Sequence, residues 1–121
     1  MKKHKIMVVD DEVNQALLYE QELIDEEYEV VLAHSGKEAL EVLEKGSIDL
    51  VILDIGMPEM DGLEVLEQML SINNKISVIL NTAYPSYKDN FMSWAADAYV
   101  VKSSDITELK KKIKQSLAKK G

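Results

Sequence analysis

The sequence predicts an α/β protein in which a doubly wound parallel sheet carries helices on both faces. Short apolar, β-branched runs alternate with stretches of helical period through five units. Two runs, Lys5–Val9 and Leu50–Asp54, are almost continuously apolar, which is typical of strands buried on both faces. The length of 121 residues is that of one domain. We therefore predict a single domain over residues 1–121, with right-handed crossovers between its strands.

Three weaker runs complete the predicted sheet. They are Glu29–Ala33, Ile76–Asn81 and Tyr99–Lys102. Each is short and contains the β-branched or aromatic residues that fit a pleated, buried surface. With the two apolar runs they give five strands.

Amphipathic patterns between the strands predict the helices. Each helix has a set of apolar residues at helical spacing: Leu17, Leu23 and Ile24; Ala39, Leu40 and Leu43; Leu63, Leu66, Met69 and Leu70; Ile106, Leu109, Ile113 and Leu117. Two helix starts have the spacing of a capping box, Ser35 with Glu38 and Asp105 with Glu108.

Composition excludes several functional classes. The 22 acidic and 14 basic residues give a net charge of −8, which disfavours binding of nucleic acid by this domain. The absence of cysteine excludes disulfides, thiolate metal sites and cysteine nucleophiles. No apolar run is long enough to span a bilayer, and the N-terminus does not resemble a signal peptide. We expect a cytoplasmic protein that does not bind membranes.

Polar residues follow four of the predicted strands. In open parallel sheets the functional crevice lies beyond the carboxyl ends of the strands. The residues there are Asp10, Asp11 and Glu12; Asp54; Asn81 and Thr82; and Lys102. Converging carboxylates repel and require a cation, which Lys102 supplies in part and Mg²⁺ would complete. Each feature is common by itself, since an acidic pair before a helix is often only a cap.

At these positions the sequence resembles the receiver domain of two-component response regulators, over essentially its whole length. Four segments carry the resemblance: Val8–Glu12, Asp49–Gly62, Thr82–Ala83 and Ala96–Lys102. The second segment is the most specific. The resemblance implies a flavodoxin-like sheet of order 2-1-3-4-5. It also implies phosphorylation of an aspartate by the phosphohistidine of a histidine kinase.

The resemblance assigns the acceptor and the metal ligands. Asp54 would accept the phosphoryl group. Asp11, Asp54 and the backbone carbonyl of Gly56 would bind Mg²⁺ directly, and Asp10 would act partly through a bound water. The metal would let two anions, the carboxylate and the phosphoryl donor, approach each other.

The resemblance also assigns a switch. Lys102 would pair with Asp54 at rest and with a phosphoryl oxygen afterwards, while Thr82 would turn its hydroxyl to another phosphoryl oxygen. Tyr99 occupies the aromatic switch position and would move inward. The result would be presented by the fourth helix, fifth strand and fifth helix of the receiver fold. The predicted fourth helix would contribute apolar anchors: Tyr87, Phe91 and Trp94.

Three residues depart from the family pattern. Lys102 is followed by Ser103, where the family usually has a proline in a cis peptide bond. A non-proline cis bond costs about 2.5–4 kcal/mol, so the loop is either strained or trans with Lys102 aimed differently. Ala95 stands where the family usually has a glycine. Gly56 has no side chain that could orient or block an attacking water, so the lifetime of the phosphorylated form is not predicted.

The leading hypothesis is a signalling module that catalyses only its own phosphorylation and slow dephosphorylation. Its partners would be a histidine kinase or phosphotransfer protein and a downstream protein or output domain, with a homodimer possible on phosphorylation. Because no output domain follows within 121 residues, we expect a free-standing receiver or part of a longer regulator.

Three alternatives stay open. The first is a small Mg²⁺-dependent phosphohydrolase. Haloacid-dehalogenase-type enzymes of this kind have two aspartates two positions apart on one strand, and no such pair follows the first strand here. The second is a flavodoxin-like cofactor binder, although the first loop is acidic where phosphate would need glycine and backbone donors. The third is a receiver that does not switch, as Ser103 would allow. His4 and His34 are predicted to be surface residues.

Overall fold

Five strands and four helices lie within residues 3–54, 62–83, 96–103 and 105–120, which a computed structural model describes. In chain order the elements are β1 (Lys5–Val9), α1 (Val13–Asp25), β2 (Glu29–Ala33), α2 (Gly36–Glu44), β3 (Leu50–Leu53), α3 (Gly62–Ile72), β4 (Ser77–Thr82), β5 (Ala98–Val101) and α4 (Thr107–Lys120). Each predicted strand coincides with an observed one to within one residue at either end. The predicted helix around Tyr87, Phe91 and Trp94 and the loop containing Gly56 lie outside the described residues.

The five strands form one parallel sheet in the order β2-β1-β3-β4-β5, which confirms the predicted class and strand order. The register aligns the last residues of neighbouring strands. Val9 is paired with both Ala33 and Leu53, and Thr82 is paired with Val101. The carboxyl ends of the strands therefore meet at one edge of the sheet, where the polar residues were predicted to converge.

Helices cover both faces of the sheet because strand side chains alternate between them. We call the two layers the α1–α4 core and the α2–α3 core. The α1–α4 core contains Val8, Ile52, Ile79 and Val100 from the strands and Tyr19, Leu23, Leu109, Ile113 and Leu117 from the helices. The α2–α3 core contains Val9, Leu53 and Leu80 from the strands and Ala39, Leu43, Val65, Leu66 and Met69 from the helices.

The predicted apolar face of α1 was wrong for two of its three residues. Leu17 and Ile24 are 48% and 49% exposed, whereas Ala16, Tyr19 and Leu23 are buried. Successive helical residues are rotated by about 100°, so a stripe centred on Leu23 continues through Tyr19 and excludes Ile24. By contrast, the apolar stripe predicted for the last helix is confirmed, since Ile106, Leu109, Ile113 and Leu117 are all buried.

Side-chain caps mark two helix starts. The Ser35 hydroxyl accepts the Glu38 backbone N–H at 3.1 Å, and a Glu38 carboxylate oxygen accepts the His34 N–H at 3.3 Å. The carboxylate thus reaches one residue beyond the cap itself. Asp105 accepts hydrogen bonds from both the backbone N–H and the hydroxyl of Thr107. Its side chain therefore caps the residue two positions later, and not Glu108, three positions later, as the capping-box spacing predicted. Within the described ranges, every helix is too short or too polar to cross a membrane.

Candidate functional site

Four polar residues at the carboxyl ends of the strands lie on one side of the sheet. Side chains alternate along a strand, so residues two positions beyond a member of the α1–α4 core point to the same side. These residues are Asp10, Asp54, Asn81 and Lys102, two positions after Val8, Ile52, Ile79 and Val100. The topology therefore brings two acids, an amide and an ammonium to one corner of the carboxyl edge.

Three carboxylates form a cluster at this corner. Asp10, Asp11 and Asp54 each offer a carboxylate oxygen, and these oxygens lie within 4.8 Å of one another. Asp10 and Asp54 are only 1% and 6% exposed, while Asp11 faces solvent. The Asp10 and Asp54 backbone N–H groups donate to Ala33 and Val9, so sheet pairing continues past the strand ends and fixes both acids.

The Lys102 ammonium bridges the two buried acids. Its Nζ lies 2.9 Å from a carboxylate oxygen of Asp10 and 2.9 Å from one of Asp54. Burial lowers the pKa of Lys102, but the hydrogen bonds and charges of Asp54 and Asp10 outweigh burial and raise the pKa above its ordinary value. Lys102 therefore remains protonated at neutral pH and offsets the repulsion between the acids.

Serine after Lys102 does not turn the lysine away from the site. The described residues contain no cis peptide bond, so the Lys102–Ser103 bond is trans. The Lys102 backbone N–H donates to the Thr82 carbonyl at 2.8 Å, which holds the end of β5 against the end of β4. The doubt raised by the sequence is resolved in favour of a lysine directed at the acids.

The two predicted switch residues lie on adjacent strands. Thr82 is completely buried at the end of β4, and Tyr99 in β5 packs against the α2–α3 core. Because Leu80 is paired with Tyr99 and Thr82 with Val101, Tyr99 and Thr82 share one face of the sheet, two positions apart. Gly56, the remaining predicted metal ligand, lies outside the described residues.

Two neighbours of the site were not identified from the sequence. His34, predicted to be a surface residue, is half-buried, and its Nδ1 lies 3.1 Å from the Asp10 carbonyl oxygen. His4 is exposed, as predicted. Tyr19 is buried on α1, where its hydroxyl accepts an N–H from the Gln15 side chain at 3.2 Å. The sequence did contain a signal for Tyr19. A tyrosine occupies the helix face shared by Ala16 and Leu23, where an aliphatic residue would be enough for packing.

Two tyrosines and Lys102 predict a loss of stability in alkali. Burial raises the pKa of Tyr19 and of Tyr28, and the acids raise that of Lys102. The folded state thus holds these protons more tightly than the unfolded chain, where ordinary values of 10.0 and 10.5 apply. Their stabilisation is complete below these values and is lost as pH rises through the folded pKa.

Urea unfolding at about pH 8, 10 and 11 would measure this loss. We expect the free energy of unfolding to fall between the last two values. A free energy of unfolding that stays constant or rises between about pH 10 and 11 would contradict this prediction.

The fold and the site together define a class of protein. A doubly wound sheet of order 2-1-3-4-5 is the flavodoxin-like fold, and its ligand site lies at the carboxyl edge, as the acid cluster does here. The family model for the response regulator receiver domain matches residues 6–114. The chain belongs to this family of signalling proteins.

Curated relatives cover the chain to different extents. The transcriptional regulatory protein YkoG of Bacillus subtilis is 36% identical over 123 residues, covering 100% of this chain and 54% of its own length. The chain spans about half or less of the first curated relatives it matches. Sporulation initiation phosphotransferase F of Bacillus subtilis is 34% identical, and the match covers 97% of this chain and 96% of the relative.

Solved structures resemble the chain closely. The response regulator TrrA of Thermotoga maritima, in complex with Mg²⁺-BeF, is 47% identical with a TM-score of 0.90, covering 93% of this chain and 98% of TrrA. In its complex with the histidine kinase ThkA, TrrA matches this chain with a TM-score of 0.89 and 47% identity. The match covers 94% of this chain and 98% of TrrA.

Proposed function

We propose that the chain is a phosphorylation-switched receiver that accepts a phosphoryl group on Asp54. The donor is the phosphohistidine of a histidine kinase or phosphotransfer protein. The observation that carries the proposal is the buried Asp54 carboxylate held 2.9 Å from the Lys102 ammonium, beside two further acids. Support comes from TrrA, a relative crystallised with a histidine kinase.

Asp54 acts as the nucleophile. One carboxylate oxygen attacks phosphorus, the bond from phosphorus to the histidine nitrogen breaks, and an acyl phosphate forms. Phosphoryl transfer has a loose transition state, so catalysis depends mainly on in-line positioning and stabilisation of charge. Asp54 is suited to this role because sheet pairing with Val9 fixes its backbone and Lys102 orients its side chain.

The acid cluster fits Mg²⁺. Its donors are carboxylate oxygens, the hard ligands that this ion prefers, and three of them lie within 4.8 Å. Asp11 and Asp54 would bind the ion directly, Asp10 partly through water, and the Gly56 carbonyl would be the third protein ligand. When bound, Mg²⁺ supplies positive charge that lets the carboxylate and the phosphoryl donor meet. Support comes from TrrA, whose complex contains Mg²⁺-BeF.

The side chains around Asp54 convert phosphorylation into a signal. Lys102 moves from Asp54 to a phosphoryl oxygen, and the Thr82 hydroxyl donates to another. Tyr99, two positions from Thr82 on the same face, then moves inward. The changed surface, which the resemblance assigns to the fourth helix, the fifth strand and the fifth helix of the receiver fold (α4 here), is read by a downstream protein, an output domain or a second copy of the chain.

In this proposal the chain works in the cytoplasm. The only reactions it catalyses are its own phosphorylation and slow dephosphorylation.

Acetyl phosphate, a small phosphoryl donor, tests the proposal. We expect the purified chain to gain one phosphoryl group in the presence of Mg²⁺, seen by intact-protein mass spectrometry. Chelation by EDTA is expected to slow the gain by about a hundredfold or more, because several kcal/mol of charge stabilisation is lost. Steady turnover of phosphate esters without a stable phosphorylated form would favour a phosphohydrolase instead.

A further inference from the structure

The ring of His34 contacts the backbone of the acid cluster. Its Nδ1 lies 3.1 Å from the carbonyl oxygen of Asp10. A carbonyl oxygen only accepts hydrogen bonds, so Nδ1 carries a proton and is the donor. Asp10 is only 1% exposed, which means that its carbonyl is shielded from water. A buried carbonyl is costly without a donor, and the His34 ring supplies one.

The fold holds His34 in this place. Ala33 packs in the α2–α3 core, and side chains alternate between the faces of a sheet, so the next side chain is directed to the side on which Asp10 lies. The His34 backbone N–H donates to the Glu38 carboxylate at 3.3 Å, which ties His34 to the first turn of α2. His34 therefore links the start of this helix to the end of β1.

The contact acts on the peptide group that leads into Asp11. The Asp10 carbonyl and the Asp11 backbone N–H belong to the same planar group, so a hydrogen bond to the carbonyl oxygen limits the rotation of both. An Asp10 carboxylate oxygen also accepts the Glu12 backbone N–H at 2.9 Å. The turn is thus held on both sides of Asp11, the acid of the cluster that faces solvent.

We propose that His34 is a positioning residue that orients Asp11 for Mg²⁺ binding. An exposed aspartate has many conformations unless its main chain is fixed, and ordering it when a ligand binds costs entropy. The His34 donor fixes the preceding peptide in advance, which lowers that cost and keeps the Asp11 carboxylate near that of Asp54. Residues outside the ligand set commonly contribute to metal affinity by orienting the ligands.

The consequence for metal affinity rests on the proposed function, in which Asp11 binds Mg²⁺ directly. The consequence for the backbone does not, because it concerns the peptide between Asp10 and Asp11 without metal or phosphoryl donor. The two consequences can therefore be measured separately.

Two substitutions of His34 and one control test the inference. His34→Leu removes the donor, whereas His34→Asn restores it, because the asparagine amide nitrogen is bonded to Cγ as Nδ1 is. The matched control is His4→Leu, which makes the same change at an exposed histidine just before β1. Isothermal titration calorimetry measures the Mg²⁺ dissociation constant of each folded variant. Relaxation of ¹⁵N measures the order parameter of the Asp11 N–H without metal.

We expect Mg²⁺ to bind about three- to tenfold more weakly to His34→Leu, the scale of one net hydrogen bond. The Asp11 order parameter should fall in the same variant. His34→Asn should recover most of both losses, and His4→Leu should match the wild type. A merely structural role would lower the free energy of unfolding of His34→Leu and leave the Mg²⁺ affinity of the folded protein unchanged.

The wild-type protein offers a test that needs no substitution. At about pH 8 an ordinary histidine is neutral, and the ring ¹⁵N signals of His34 show which nitrogen carries the proton. We expect the proton on Nδ1, and a proton on Nε2 would overturn the inference. A wild-type Asp11 order parameter in His34→Leu, or a failure of His34→Asn to recover Mg²⁺ affinity, would also overturn it.

Failure of the proposed function would have a different result. The wild-type protein would bind no Mg²⁺ and would take up no phosphoryl group from acetyl phosphate. The Asp11 order parameter would still fall in His34→Leu.

Discussion

Phosphoryl uptake from acetyl phosphate is expected to be abolished by Asp54→Asn. An amide cannot form the acyl phosphate, and the change also removes the negative charge that pairs with Lys102 at 2.9 Å. We expect the rate to fall by at least about a thousandfold, the scale on which loss of a nucleophile acts. Intact-protein mass spectrometry after incubation with acetyl phosphate and Mg²⁺ measures the uptake.

The matched control for this variant is Asp49→Asn. Asp49 lies at the opposite edge of the sheet, where its carboxylate accepts the Lys5 backbone N–H at 2.8 Å, a role that an amide oxygen can also perform. We expect Asp49→Asn to keep the wild-type rate. Labelling that persists in Asp54→Asn and maps to another residue would disprove the assignment of the acceptor.

Strand positions and their convergence could be predicted because they depend on simple rules. A continuously apolar run such as Leu50–Leu53 is buried on both faces, and parallel pairing places all strand ends at one edge. Given those two facts, the backbones of Asp10, Asp54 and Lys102 must lie at the same edge of the sheet whatever the loops between them do. The acid cluster is therefore largely a consequence of topology.

The direction of Lys102 could not be predicted in this way. It depends on the backbone of the loop at Ser103, where two local conformations were compatible with the sequence. Two carboxylates 2.9 Å from the ammonium stabilise the observed direction, and the peptide bond before Ser103 is trans. This outcome depends on electrostatics between distant segments, which residue spacing does not encode.

The buried face of α1 was misread for a related reason. Leu17 and Ile24 are more apolar than Tyr19, yet they are exposed and Tyr19 is buried. Hydrophobicity ranks tyrosine low because of its hydroxyl, and here Gln15, one turn earlier on α1, donates a hydrogen bond to that hydroxyl at 3.2 Å. The strand side chains against which Tyr19 packs are distant in the chain, so the helical pattern alone could not reveal its burial.

Lys102→Met is expected to destabilise the fold strongly in the absence of metal. The substitution keeps an apolar stem but removes the ammonium from between Asp10 and Asp54, which are 1% and 6% exposed. Removing one partner from a buried ion pair costs about 3 kcal/mol or more, because a charge is left in a poorly solvated site. Urea unfolding at pH 7 in EDTA measures the loss in the free energy of unfolding.

The dependence of this loss on charge separates electrostatics from packing. Without Lys102 the two acids repel each other in a poorly solvated site, so the deficit should depend on the presence of both negative charges. Adding Asp54→Asn to Lys102→Met should restore most of the stability, since one of the like charges is then gone.

Lys110→Met is the matched control. Lys110 pairs with Glu22 at 3.5 Å on the surface, and its loss should cost at most about 1 kcal/mol. Equal losses in the two lysine variants would mean that the buried ion pairs do not stabilise the protein.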